Sequence, residues 1–438
     1  MHKYLYFLIK ESGGIKMKTE SMYKKNLGKL LLIAFAGSII YGLPYFRLYY
    51  YDAYVEMYNL TNTQMGTLGS AYGVLGLVSY FIGGVLADKY SAKWLMIGSM
   101  IATGIGGFAH LIFTDYIALV AIYALWGLTS LLTFWPALLK MIRTLASDEE
   151  QSRAYGTFEG GRGVTNAVHM AIATAIFGAF QAKALVEAGI EWIIIFYSVA
   201  PIVCGIIFIF LLKDPEKVAS QEAKATFNLK DIIRVLKMPA VWMLVIITFT
   251  TYTFNMSFFY INPYATNVMG ASAVLAAVLT LLAQYVRPVA STGGGFLADK
   301  FGKAKLMSIG FVAMGIAMAL IMLVPQLSGS LSLPVMLVAC VLIYLAMYSN
   351  YGIFFSMQSE GGIPLDISGV AIGVIATLGY LPEVVCPYIA GKTLDAYEGV
   401  TGYYIYFSGL IVMAVIGGIM CVVWHNKYGK AALAESKK

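Results

Sequence analysis

Charged side chains are scarce in this chain: Asp, Glu, Lys and Arg make up 12% of its 438 residues, whereas 59% are hydrophobic. Soluble proteins carry about 25% charged residues, and half that number could not cover the surface of a soluble protein this long. Most of the surface must therefore face an apolar solvent, a lipid bilayer. The four cysteines (Cys204, Cys340, Cys386, Cys421) lie in apolar runs without paired spacing, which argues against a disulfide framework or a structural zinc site. The four histidines (His2, His110, His169, His425) form no cluster along the chain, and a nucleophile constellation and a phosphate loop are both missing. No catalytic residue, metal ligand or cofactor is expected, and the chain does not read as an enzyme.

Apolar runs of about 20 residues, the length needed to cross a bilayer as helix, number twelve. They cover 27–51, 64–87, 94–113, 117–139, 154–180, 192–212, 240–261, 271–298, 306–324, 333–357, 367–390 and 402–424, numbered here spans 1 to 12. The net charge of +7 does not point to nucleic acid, because the positive charges are distributed by loop. With the N-terminus inside, 25 of the 30 Lys and Arg fall in inside segments and two, Lys183 and Lys392, in outside ones. The positive-inside rule then places both termini in the cytoplasm, in a multi-pass protein of the cell membrane. Three arginines remain for the membrane itself: Arg47, Arg162 and Arg287. Residues 1–26 are polar and Lys-rich, with an apolar piece too short for a signal-peptide core. No cleaved signal is read there, and a start at Met17 or Met22 fits the sequence as well as one at Met1.

The longest charged interruption separates spans 6 and 7. The expected organisation is a cytoplasmic tail (1–26), a six-helix half (27–212), a cytoplasmic linker (213–238), a second six-helix half (239–426) and a second tail (427–438). An internal repeat supports two halves, because GGVLADKYSAKWLM at 83–96 matches GGFLADKFGKAKLM at 294–307 in 8 of 14 positions. The fold class is thus an all-α membrane protein with twelve transmembrane helices in two pseudo-symmetric halves. Duplicated six-span halves are built around a substrate site at their interface near the membrane midplane.

Gly84, Asp88, Lys89 and Lys93 after span 2, with Gly295, Asp299, Lys300, Gly302 and Lys303 after span 8, resemble the loop motif of the major facilitator superfamily. The first copy departs from it at Ser91 and Ala92. The resemblance implies alternating access, and it implies that Gly84, Asp88, Lys89, Gly295, Asp299, Lys300 and Gly302 gate the transporter, the Asp facing a helix N-terminus of the opposite half. Tyr45, Phe46 and Arg47 on span 1, Trp135, Pro136 and Lys140 on span 4, and the stretch 351–395 are similar to the organophosphate:phosphate antiporter branch. There, one arginine on span 1 and another on span 7 hold phosphate. Arg47 matches the first, but span 7 here offers Tyr252, Asn255, Tyr260 and Asn262 without arginine, and Thr144 stands where a histidine is expected. The resemblance implies recognition of an anion, not of phosphate in particular.

Charges within the membrane persist only with a partner, water or a ligand. Arg287 lies 12 residues before Asp299, about 18 Å along a helix, and Pro288 follows it. It is either a ligand contact or half of a static ion pair. Arg47 lies 18 residues after Lys29, about 27 Å, and is deep only if span 1 continues past Tyr51 toward Glu56; otherwise it snorkels outward. Glu159 and Arg162 share a helix face and form either a self-neutralising packing pair or part of the coupling machinery. Glu383 on span 11 has no opposite charge within four residues. Burial disfavours its charged form, so it either carries a proton or pairs with Arg47 or Arg287.

The candidate substrate contacts are Arg47, Arg287, Tyr45, Tyr252, Asn255 and Asn350, and the candidate coupling residues Glu383, Glu159 and Arg162. The expected function is secondary transport of a small organic anion, phosphorylated or sulfonated, by antiport or proton coupling. The alternatives are proton-coupled transport of a neutral sugar or nucleoside, and a transporter-like sensor without turnover. The expected partners are the small-molecule substrate, a coupling ion or counter-anion and the lipid bilayer, with no nucleic acid, the protein acting as a monomer.

Overall fold

The computed structural model describes residues 21–147, 150–213, 229–327, 329–364 and 367–435. The side chains of Gly84 and Asp88 lie outside the described residues. Ten helices are long and apolar enough to cross a membrane, and the bent pair Met22–Ile39 and Gly42–Tyr49 supplies another. Span 2, Asn62–Lys89, is 28 residues long and completes twelve. The sequence reading of the fold class thus holds.

Helix borders follow local chemistry. Span 2 starts at a capping box in which Thr61 accepts from the Gln64 amide and Gln64 accepts from that of Thr61. Ser91, Asp115 and Ser272 cap spans 3 (Ala92–Ile112), 4 (from Tyr116) and 8 (Ala273–Phe301) in the simpler one-way form. Gly302, at φ +95°, turns span 8 directly into span 9, Lys303–Leu323. Such a backbone strongly favours glycine.

Three spans depart from regular helix. Span 1 bends by 49° between Ile39 and Gly42, then continues through a kink at Tyr50 into Tyr51–Met57, six residues beyond the run read from hydropathy. Span 4 widens into a π-helix over Gly127–Phe134, in which the Trp135 amide bonds the Ser130 carbonyl. Pro136 explains this: its ring would strike the carbonyl four residues back in regular helix, and the wider turn relieves the clash. Span 11 comprises Ser368–Gly379 and Pro382–Ala396. Between the halves, the segment read as linker ends in a short amphipathic helix, Leu229–Leu236.

The halves meet along span pairs 2 and 11, 5 (Gln151–Gln181) and 8, and 1 and 7 (Pro239–Asn267). They are pressed together at the end remote from the chain termini. A Cβ on Gly391 would lie 2.1 Å from the Asn62 carbonyl oxygen, and one on Gly66 2.1 Å from that of Pro387. Between spans 5 and 8, contacts run through Gly178 and Val274, Asn166 and Gln284, and Gly163 and Pro288. Beyond that point a Cβ on Gly160, Gly156, Gly293 or Gly295 would meet nothing within 4 Å. The halves therefore diverge into a cleft open toward the termini. Gly391→Val should cost about 1–3 kcal/mol by overpacking, read as a lower thermal midpoint in detergent. Gly369→Val, on the same span where nothing lies within 4 Å, should be close to neutral.

Candidate functional site

Glu383 occupies the first turn of the second segment of span 11, where the free amides of a helix N-terminus favour negative charge. It is 8% exposed. Tyr45 of the first half donates to its Oε1 at 2.9 Å, and Tyr252 of the second half donates to its Oε2 at 3.1 Å. Span 2 approaches closely enough that a Cβ on Gly73 would lie 3.0 Å from the Glu383 Cγ. The carboxylate is thus shared between the halves by two phenols, and among the described residues no arginine lies within 4.0 Å of it.

Arg47 is buried, at 3% exposed, because span 1 continues to Met57. Its guanidinium stacks 4.9 Å over the Tyr123 ring, Nη1 lies 3.8 Å from the Met65 sulfur, and its Nε has no hydrogen-bond partner. Arg47 and Glu383 line one small space of about 20 Å³ with Tyr45, Tyr72 and Gly69, large enough for about one water. Behind it, His110 is held by Tyr54 at 2.7 Å and Tyr58 at 2.9 Å.

Arg287 is half-buried beside the cleft, its guanidinium 5.4 Å from the Tyr348 ring centre and 5.8 Å from that of Tyr351. Among the described residues no carboxylate lies within 4.0 Å of it. Arg162 donates to Glu159 at 3.0 Å and to the Gly37 carbonyl at 2.9 Å, and stacks 4.8 Å over Trp135. That pair ties span 5 to spans 1 and 4, while Glu159 stays exposed.

The structure brings Tyr45, Tyr252 and Glu383 together, with Arg47 close by, and sets Arg287 apart in the cleft. Asn255 is half-buried on span 7. Asn350 points to span 9, where its amide donates to the Met307 carbonyl at 3.3 Å, rather than into the cleft. Lys89, Asp299 and Lys300 are exposed at the end bearing the termini, and Lys303 donates to the Ser356 carbonyl at 2.8 Å. Nothing within 4 Å confines Gly295.

A polar chain that the sequence reading missed crosses the closed end of the cleft. Ser38 donates to Asn166 Oδ1 at 2.6 Å, so its oxygen is free to accept from His169 Nε2 at 3.1 Å. Tyr197 completes His169 at Nδ1, 3.0 Å away. Asn166 donates to Gln284 Oε1 at 3.1 Å, and Gln284 donates to the Tyr49 hydroxyl at 3.2 Å. This bonding fits the neutral Nε2–H tautomer of His169. Gln284 sits three residues before Arg287, on the same face of span 8. The available signal was the recurrence of polar residues three apart within apolar runs, Asn166 with His169 and Gln284 with Arg287.

A duplicated twelve-span bundle, closed at one end around a buried carboxylate and open at the other, is the architecture of a secondary transporter. The family model of the Major Facilitator Superfamily matches residues 28–387, and the chain belongs to that superfamily. It is 30% identical over 410 residues to the inner membrane protein YihN of Escherichia coli (strain K12), covering 91% of this chain and 95% of that one. Among solved structures, a bacterial homolog of the human lysosomal transporter Spinster, in an inward-facing and occupied conformation, superposes with a TM-score of 0.73 at 14% identity, covering 93% of this chain and 98% of that one. The nucleoside transporter NupG gives 0.72 at 15% identity, covering 91% and 98%. These two likenesses establish the fold.

The paired phenols yield a prediction. Hydrogen bonds to charged groups contribute about 1.5–3 kcal/mol, so Tyr45→Phe and Tyr252→Phe should each lower stability by about that amount, and the double variant by more than either. Thermal denaturation of the purified protein checks this; unchanged midpoints in all three would mean the phenols do not hold the carboxylate.

Proposed function

We propose that the protein carries a small organic anion, phosphorylated or sulfonated, across the cell membrane by alternating access, both termini lying in the cytoplasm. The observation that carries this reading is Arg287, a guanidinium beside the open cleft with aromatic faces around it and, among the described residues, no carboxylate within 4.0 Å. A cation with no carboxylate in contact attracts an anion, and the planar fork of arginine matches an oxyanion. Arg47 contributes the second positive charge from the other half once the closed end opens. Glu383 carries the coupling proton, since a carboxylate held by two phenols and no cation accommodates either protonation state. Counter-anion exchange is the alternative source of driving force.

A second reading, a neutral hydroxylated substrate, is favoured by the Asn166–Gln284 amide pair and by the likeness to a nucleoside transporter. A thermal-shift screen against phosphate esters, sulfonates, sugar acids, neutral sugars and nucleosides separates the two readings. Counterflow in proteoliposomes separates both from a sensor, which binds label without moving it. For the stabilising ligand, Arg287→Lys should weaken binding at least tenfold while the unliganded midpoint stays within a few degrees. Unchanged transport by both Arg287→Lys and Arg47→Lys would overturn the anion reading.

A further inference from the structure

Spans 2 and 11 run antiparallel, Gly66 meeting Pro387 and Gly73 meeting Glu383. They touch at the closed end and part toward the other, where a Cβ on Gly373 or Gly369 would meet nothing within 4 Å. At the closed end the capping box of span 2 satisfies the amides of Thr61 and Gln64 within its own half. The two amides left over belong to Asn62 and Thr63. Both are taken by Asp395 of the opposite half: Oδ1 accepts from the Asn62 amide at 2.9 Å and from Asn62 Nδ2 at 2.9 Å, and Oδ2 accepts from the Thr63 amide at 2.7 Å. Asp395 sits in the last turn of span 11 and is itself exposed.

We infer that Asp395 is a positioning residue for transport: it caps span 2 from across the interface, holds the closed end shut, and must release those amides each time that end opens. A carboxylate bonded to free amides at a helix N-terminus makes charge-assisted bonds aligned with the helix dipole. Separating the halves exchanges all three for water at once, so the contact is made or lost as a unit. A reciprocal contact lies beside it, because Asp52 of the first half accepts from Thr266 and, at 3.0 Å, from Asn267 of the second. The inference rests on alternating access alone and holds for any substrate.

Nitroxide labels on cysteines introduced at Glu56 and Glu398, exposed residues of opposite halves at the closed rim, report the opening. The four native cysteines are buried and give little background labelling. Double electron–electron resonance on the unliganded protein should find one dominant short distance. Asp395→Asn should raise the longer-distance population several-fold, and in counterflow it should change the exchange rate more than the half-saturating concentration. Asn62→Ala, which removes one donor of three, should shift the distances the same way by less, and it serves as the test if Asp395→Asn does not fold. Asp88→Asn should not widen this end. A distance distribution unchanged by Asp395→Asn in folded protein, or by Asn62→Ala if that variant alone folds, would overturn the latch.

Discussion

The molecule is organised around one carboxylate that has no cation for a partner. An ionisable group at this depth costs several kcal/mol unless its surroundings satisfy it. Here Glu383 receives one phenol from each half, Tyr45 and Tyr252, and the first turn of a broken helix. Two of these depend on a local departure from regular helix, and the site also depends on small residues in a neighbouring span. The break at Gly379–Leu381 puts Glu383 at an N-terminus. The glycines of span 2 let that backbone pass against it, and the bend of span 1 carries Tyr45 to its oxygen. Because the two phenols belong to different halves, the carboxylate bridges the interface between them.

Around that centre the polar groups divide by accessibility. Arg47, His110 and their tyrosines sit behind the closed end, whereas Arg287, Glu159 and Tyr351 border the open cleft. Rocking of the halves would exchange which arginine faces water. The chain from Tyr197 through His169, Asn166 and Gln284 to Tyr49 crosses the same boundary with neutral hydrogen bonds. Such bonds form and break at small net cost, which suits a surface that must part in every cycle.

Much of this was legible in the sequence. Scarce charge, twelve apolar runs and the repeated loop motif identify the architecture, because each is set by the bilayer or by duplication rather than by tertiary detail. Glu383 stood out as a deep carboxylate without a neighbour of opposite charge. Its actual partners were not legible, since Tyr45 and Tyr252 are more than 130 residues away and lie on other spans, Tyr45 past the bend of span 1. The depth of Arg47 turned on the continuation to Met57 past the kink at Tyr50, which hydropathy does not reveal. Asn350 looked like a cleft residue because it lies between tyrosines, yet the rotation of its helix aims it at span 9. The role of His169 is not legible in the sequence, because its partners come from spans 1 and 6 as well as its own.

The central claim is that Glu383 couples the two halves through a transferable proton. Glu383→Gln fixes a neutral form of nearly the same shape, with one acceptor oxygen and a donor amide, so it separates movement from coupling. In proteoliposomes, uptake of the ligand found by screening is measured with and without an imposed pH gradient, in wild type and in the Gln variant, with counter-anion inside or absent. The account predicts gradient-driven accumulation by the wild type, and by the variant exchange without accumulation. Wild-type uptake that requires internal anion and ignores the gradient would contradict it, leaving Glu383 as a structural link between Tyr45 and Tyr252.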